Sequence, residues 1–150
     1  MKRKSSLLVL ATMLVASLPL AASNAVRVKV ALLDGAPVYH WRVFRSHYSD
    51  DVDRALVLRE FKRQGYTLPT HFVEEELQTV ITKNFHGDDR AFEESLKRTG
   101  ASLAEYKQFL AEEITLMAFV TKQSKEASSP AATAKWIASL RKNAKVTSLH

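Results

Sequence analysis

The sequence predicts a mostly α-helical single domain of about five helices, with a short strand near each end of the domain. Apolar residues recur at helical spacing in several stretches, and most of these stretches are bounded by a capping residue or a glycine. All four glycines and the three prolines beyond residue 25 fall between these stretches, and none lies inside one. The chain has 150 residues, which is enough for one hydrophobic core but not comfortably for two.

Residues 1–25 have the pattern of a secretory signal peptide. A basic start at Lys2–Lys4 precedes an uncharged stretch that is most apolar from Leu7 to Leu20. The small residues Ser23 and Ala25 suit the −3 and −1 positions of a cleavage site. We therefore expect cleavage after Ala25 and export to the periplasm, with secretion as the alternative destination. An uncleaved N-terminal anchor is the other interpretation of this segment.

Composition narrows the possible classes of function. Cleavage would remove three basic residues and no acidic ones, leaving 19 Lys and Arg against 16 Asp and Glu, a net charge of +3 instead of +6. This modest charge weakens the case for a nucleic-acid partner. The sequence has no cysteine, which excludes disulfides, a lipoprotein anchor, thiolate zinc sites and cysteine nucleophiles. No second apolar run approaches the ~20 residues of a membrane span, so we expect a soluble protein.

The domain is predicted to begin with a strand and then a helix. Val26–Leu33 alternates valines with basic residues, which is the period-two pattern of a half-buried strand. Asp34-Gly35 predicts a turn, and Pro37 extends the break. A helix is then expected from near Tyr39 toward Gln64, with an interruption around Ser49-Asp50 as an alternative. The residues expected to share one face of this helix are Phe44, Tyr48, Val52 and Ala55.

Four further helices follow, each with a capping residue at its start. Thr70, Asp88 or Asp89, Ser102 and Ser129 are the expected caps, and Ser102 forms a capping box with Glu105. A last strand at Val146–Leu149 is expected to pair with the first one and to bring the two ends of the domain together. The expected helices are Thr70–Phe85, Arg90–Thr99, Leu103 to about Lys125 and Ala131 to about Asn143.

The sequence contains no pattern that indicates catalysis, a cofactor or a metal. There is no nucleophile-elbow motif, no metalloprotease motif and no glycine loop for phosphate. Glu74–Glu76 suits the N-terminal turns of a helix better than a cation site. The histidines lack the spacing of metal ligands, so we interpret all five as surface or structural side chains: His40, His47, His71, His86 and His150.

Several segments, taken in order, resemble the N-terminal domain of SurA-type periplasmic chaperones. The resemblance runs from about Val26 to Thr121, and the tail Trp136–Val146 looks like the helix and strand that close such chaperones after their isomerase domains. The segments that carry it are Leu33-Asp34-Gly35, Asp53–Gly65, Leu68-Pro69 with Val73–Leu77, Phe92 with Leu96, and Gly100–Lys107.

This resemblance implies a domain organisation. Residues 26–125 would form the SurA-like helical domain, and residues 126–150 would form a closing helix and strand that pack back on it. Only Ser124–Ser129 separates the two parts, and six residues cannot hold the parvulin-type prolyl isomerase domain that family members carry. The chain therefore departs from the family, and no prolyl isomerisation is implied.

The resemblance also implies a function. It implies an ATP-independent chaperone that binds unfolded or nascent envelope and outer-membrane proteins through an apolar crevice. The alternative is a dedicated periplasmic adaptor that binds one partner protein and has no general chaperone activity. A small exported enzyme would need a catalytic constellation that the sequence does not contain.

The helix expected from Leu103 to about Lys125 offers candidates for a binding surface. Its apolar face is unusually wide, so it must be covered on more than one side or must offer part of itself to a partner. Two interpretations stay open: core alone, or core together with an exposed client-binding strip, which methionine and rigid aromatic rings would suit. The candidate client-binding residues are Tyr106, Phe109, Leu116, Met117, Phe119 and Val120.

Overall fold

The computed structural model describes residues 26–127 and 129–149, without the side chains of residues 123–127. The expected signal peptide, residues 1–25, lies outside this part of the chain. The elements are β1 (Arg27–Leu33), β2 (Ala36–Trp41), α1 (Asp51–Arg63), α2 (Thr70–Phe85), α3 (Asp89–Arg98), α4 (Leu103–Ala127), α5 (Pro130–Lys142) and β3 (Val146–Ser148).

The mostly helical prediction is confirmed, with five helices and one small antiparallel sheet in the described residues. The predicted pairing of the two ends is also confirmed, because β1 and β3 are antiparallel neighbours with Ala31 opposite Ser148 and Leu33 opposite Val146. The N-terminal strand occupies the centre of the sheet, whose order is β2-β1-β3. The sheet thereby ties the two ends of the described chain to each other.

The prediction that a helix begins near Tyr39 is wrong. Residues 36–41 form β2, which pairs with β1 through a hairpin whose two-residue turn is Asp34-Gly35. Both turn residues have positive φ, 49° and 84°, and this geometry matches the right-handed twist of the flanking strands. Pro37 is tolerated because β2 lies at an edge of the sheet, where one side of the strand needs no ladder hydrogen bonds.

Helix α1 starts only after Asp50, near the interruption considered from the sequence. The Asp50 side chain accepts hydrogen bonds from the backbone N–H groups of Val52 and Asp53, at 2.9 and 3.0 Å. Phe44 and Tyr48 therefore precede the helix in an irregular segment, residues 42–50. The helical face expected to carry Phe44, Tyr48, Val52 and Ala55 does not exist.

The other helix bounds agree closely with prediction, and three of the caps do as well. Asp88 caps α3 through the N–H of Ala91, and Ser129 caps α5 through the N–H of Ala132. The capping box at the start of α4 is formed, with bonds in both directions between Ser102 and Glu105. Thr70 does not act as a cap: α2 begins at Thr70 itself, after Pro69, with no side-chain cap bond.

The described residues form three apolar clusters, and α4, which packs against α1, α2 and α5, contributes to two of them. The largest cluster joins α2, α3 and the first half of α4 to two aromatic rings, Trp41 and Phe44. The second lies between the hairpin, α1 and the chain around Leu140. The third joins α1, α4 and α5 around Phe119. Helix α4 thus connects the two helical clusters along its length.

Helix α5 lies shallowly on the surface of this core. None of the residues Pro130–Lys142 is fully buried. Arg141 Nη1 bonds the carboxylates of Asp50 and Asp53 at 3.3 and 2.9 Å, which links α5 to the start of α1. Beyond the helix, Asp34 donates its backbone N–H to the Lys145 carbonyl and accepts the Lys145 N–H with Oδ1, so the hairpin turn holds the tail.

Replacing Tyr106 by Phe should raise the free energy of unfolding by about 1 kcal/mol. Tyr106 is 0% exposed, and its hydroxyl has no hydrogen-bond partner among the described residues. Removing an unpaired buried hydroxyl relieves its desolvation cost. Denaturant unfolding followed by circular dichroism measures the change. Tyr66→Phe is the control, because that ring is 37% exposed and its hydroxyl should matter by less than ~0.5 kcal/mol. A destabilised Tyr106→Phe protein would contradict the assignment.

Glu60 makes stability depend on pH in the acid range. It is 8% exposed and accepts bonds from Arg63 Nε at 2.7 Å, Arg63 Nη2 at 2.6 Å and Gln64 Nε2 at 2.9 Å. These bonds, with the Arg63 pair foremost, lower the pKa of Glu60 from 4.5 to about 2. A carboxyl whose pKa is lower in the folded state stabilises the fold above its unfolded pKa and loses this contribution as pH falls.

The wild-type protein should therefore lose about 1–2 kcal/mol through Glu60 as pH falls from near its unfolded pKa to below its folded pKa, because solvent around the exposed Arg63 side chain screens the pair. Glu60→Gln should lack this part of the pH dependence, which denaturant unfolding at pH 6 and pH 2.5 would measure. Glu94→Gln is the matched control, because Glu94 bonds Arg90 on an exposed helix surface. Equal acid sensitivity in wild type and Glu60→Gln would show that Glu60 is not responsible.

Candidate functional site

The irregular segment between β2 and α1 forms a groove with a volume of about 690 Å³. We call it the loop groove; residues 40–49 and Asp51 line it. Its volume lies within the usual range for ligand sites, ~300–1,000 Å³. It forms where the edge strand β2 ends and the chain turns into α1, so one continuous stretch of sequence supplies the whole lining.

A single buried carboxylate on α4 holds this segment in place. Glu113 is 1% exposed and accepts bonds from Ser46 Oγ at 2.6 Å and from the backbone N–H of His47 at 2.9 Å. The His47 Nδ1 atom lies 3.0 Å from the same carboxylate. Ser46 Oγ in turn accepts the N–H of Tyr48 at 3.1 Å. These bonds give an irregular loop a defined shape, since a buried carboxylate is stable only with such donors around it.

Arg54 compensates part of the negative charge beneath the loop groove, one positive charge against two carboxylates. This α1 side chain is buried and forms ion pairs with Glu112 through Nη2 and with Glu113, whose Oε1 lies 3.4 Å from Nε. Glu112 Oε2 also accepts the indole N–H of Trp41 at 3.0 Å. Residues of β2, α1 and α4 therefore meet at one pair of carboxylates. Burial and the nearby Glu113 charge also raise the pKa of Tyr48 to about 12, so its hydroxyl stays protonated.

Sequence reasoning missed Arg54, Glu112 and Glu113. A signal for Glu113 was present, because it sits one turn after Phe109 and Leu110 and one turn before Leu116, inside the apolar face of α4. A charged residue at a core position indicates a buried partner. The identity of that partner comes from α1, more than 50 residues earlier, and no local spacing indicates it.

Most of the candidates for an exposed client-binding strip along α4, one of the two interpretations left open by the sequence, are buried. Four of the six candidates lie in the core, because they are covered by α1, α2, α5 and the aromatic rings of residues 41 and 44. Met117 and Val120 are half-buried. The interpretation of this face as core is therefore the better one. The buried candidates are Tyr106, Phe109, Leu116 and Phe119, each exposed by 2% or less.

A partly exposed apolar surface lies beside the later turns of α4, around Phe119. We call it the aromatic corner: Phe61, Tyr66, Val120 and Trp136, which lie around the buried ring of Phe119. Phe61 and Tyr66 are stacked with centroids 5.7 Å apart, and Tyr66 is 37% exposed. Phe61, Val120 and Trp136 are half-buried. Lys122 Nζ lies 4.0 Å from the centre of the Tyr66 ring, which adds a cation–π contact at its rim.

The remaining candidates form no further site. His71 and His86 are exposed, His40 lies 3.0 Å from Asp51 Oδ2, and His150 falls outside the described residues. Within the described ranges, no three or more His, Asp or Glu side chains are grouped so that they could hold a metal ion. Glu74, from the acidic start of α2, pairs with Lys107 Nζ at 2.7 Å. None of the described helices has the length and apolarity to cross a membrane.

Comparison of the chain with protein-family models, with curated proteins and with solved structures found no match. The resemblance to SurA-type chaperones therefore depends on the sequence segments alone. Two surfaces of the chain remain as candidate sites: the loop groove, whose loop is bonded to buried Glu113, and the separate aromatic corner.

Glu113→Gln should lower the free energy of unfolding by about 2–4 kcal/mol, because it leaves buried Arg54 with one carboxylate and replaces an acceptor oxygen by an amide. It should also speed amide hydrogen exchange in residues 42–49, which lose their anchor. Denaturant unfolding and exchange mass spectrometry measure the two effects. Glu74→Gln removes the exposed pair with Lys107 and should cost ~0–1 kcal/mol. Similar effects of both substitutions would contradict the role assigned to Glu113.

Proposed function

We propose that this protein is an exported, ATP-independent chaperone-like protein of the periplasm that binds unfolded or nascent envelope proteins. The observation that carries the proposal is the aromatic corner, a partly exposed cluster of rings on a domain whose ordered segments resemble SurA-type chaperones. Exposed apolar surface is the feature that recognises unfolded chains, since they expose apolar side chains themselves. The closing of the domain by α5 and β3 agrees with what the resemblance implies.

The aromatic corner has properties that suit weak and varied binding. Tyrosine, tryptophan and phenylalanine rings supply large contact areas with little side-chain entropy to lose. Phe61, Val120 and Trp136 of the corner lie on α1, α4 and α5, and Tyr66 lies in the connection between α1 and α2. Two further apolar side chains are well exposed on helices outside the corner: Phe72 on α2 is 45% exposed, and Leu103, the first residue of α4, is 39% exposed. We assign first contact with a client to the corner.

A dedicated adaptor for one partner is the second candidate. Burial of four of the six expected client-binding residues favours it, because little apolar surface is left for general capture of unfolded chains. A small, rigid patch is better suited to one complementary partner than to many.

Light scattering of a denatured outer-membrane porin, diluted into buffer with and without Val26–His150, tests the proposal. A chaperone should suppress aggregation without ATP. Tyr66→Ser should weaken this, raising the protein concentration for half-suppression about fivefold, because exposed aromatic contacts are worth ~1 kcal/mol or more. Gln78→Ser, at an exposed position of α2, is the control and should leave suppression unchanged.

No suppression at several-fold excess would reject general chaperone activity and favour the adaptor. Suppression that Tyr66→Ser leaves unchanged would reject the aromatic corner as the client surface. Circular dichroism of each variant ensures that only folded proteins are compared.

A further inference from the structure

We propose that folding closes the signal-peptide cleavage site of this protein, so that residues 1–25 are removed only before the domain folds. The proposal rests on the cleavage after Ala25 that the sequence predicts. It goes beyond the proposed function, because it holds whether or not the protein suppresses aggregation. In the cleavage, water adds its hydroxyl group to the Ala25 carbonyl carbon and its hydrogen to the Val26 nitrogen, which leaves a carboxyl and an amino group.

Val26, the first residue after this bond, is part of the core. Its side chain is 5% exposed and belongs to the largest apolar cluster, which also contains Trp41 and Phe44. Its carbonyl accepts the backbone N–H of Arg42 at 2.9 Å. A peptidase must draw the residues beside the bond into its own cleft. In the folded protein this requires moving a buried side chain out of the core and breaking a hydrogen bond.

The residues that follow Val26 belong to β1, the central strand of the sheet. Arg27 lies opposite Trp41 of β2. Its guanidinium carbon lies 4.3 Å from the centre of the Tyr39 ring and 5.3 Å from that of the Trp41 ring. These contacts hold the strand at the end that a peptidase would have to pull away. Cleavage of the folded protein is therefore limited to the small fraction of molecules in which this end of the strand has opened.

Cleavage and folding thus compete for the same residues. A chain that reaches the peptidase unfolded loses residues 1–25, and Val26 then takes its place in the core. A chain that folds first keeps these residues, whose apolar stretch then serves as an N-terminal anchor. The two interpretations of this segment, a cleaved leader and an uncleaved anchor, become two outcomes of one competition.

The test uses the full chain, Met1–His150, folded in detergent micelles and incubated with a bacterial signal peptidase, with cleavage followed by mass spectrometry. The matched control is a spacer variant, in which Val-Arg-Ser-Gly-Ser-Gly is inserted between Ala25 and Val26. The peptidase meets Val and Arg after the bond in both proteins, but in the spacer variant these two residues precede the folded domain. Without denaturant, the wild-type chain should be cleaved at least about a hundredfold more slowly than the spacer variant.

Urea supplies the second comparison. Both proteins are cleaved at the same series of urea concentrations, so the effect of urea on the peptidase cancels in the ratio of the two rates. The ratio of wild-type to spacer-variant cleavage should rise toward about 1 across the unfolding transition, which circular dichroism follows. Equal rates without urea, or a ratio that unfolding leaves unchanged, would overturn the proposal. Cleavage of neither protein by a peptidase that processes a reference precursor would also overturn it, because the bond after Ala25 would then not be a cleavage site.

Discussion

The buried carboxylate of Glu113 is the interaction on which the arrangement of this protein depends. A charge that is 1% exposed is stable only when every donor around it is in place. Its partners come from α1 and from the segment before α1, so these bonds hold α4, α1 and that segment against one another. This constraint converts a nine-residue irregular stretch, residues 42–50, into a defined surface.

Helix α4 serves both candidate binding surfaces. Its middle holds the loop groove through Glu112 and Glu113, and its later turns supply Phe119 and Val120 to the aromatic corner. Most of the wide apolar face of α4 is buried, and it joins two apolar clusters of the core. The candidate surfaces lie outside the buried face of α4: the exposed ring of Tyr66 and the loop groove, which residues 40–49 and Asp51 line.

Most of the fold could be predicted because its signals are local. The capping box of Ser102 and Glu105 and the cap at Asp88 act within one helical turn, so sequence spacing alone identifies them. The sequence does not predict strand β2 although Asp34-Gly35 is a strong hairpin signal, because Pro37 indicates a break and the spacing of Phe44, Tyr48, Val52 and Ala55 indicates a helix. An edge strand tolerates such a proline, and only the position of β2 in the sheet shows that it is one.

The sequence by itself determined the helical class, the helices from residue 70 onward and the strands at the two ends, since period and caps depend on neighbouring residues. Only the tertiary structure decided which part of the wide α4 face is core and which is exposed, because that depends on which elements cover it. The tertiary structure also decided which side chains support the loop groove. Arg54 meets Glu112 and Glu113 across more than 50 residues of sequence, and no local pattern encodes a contact between distant segments.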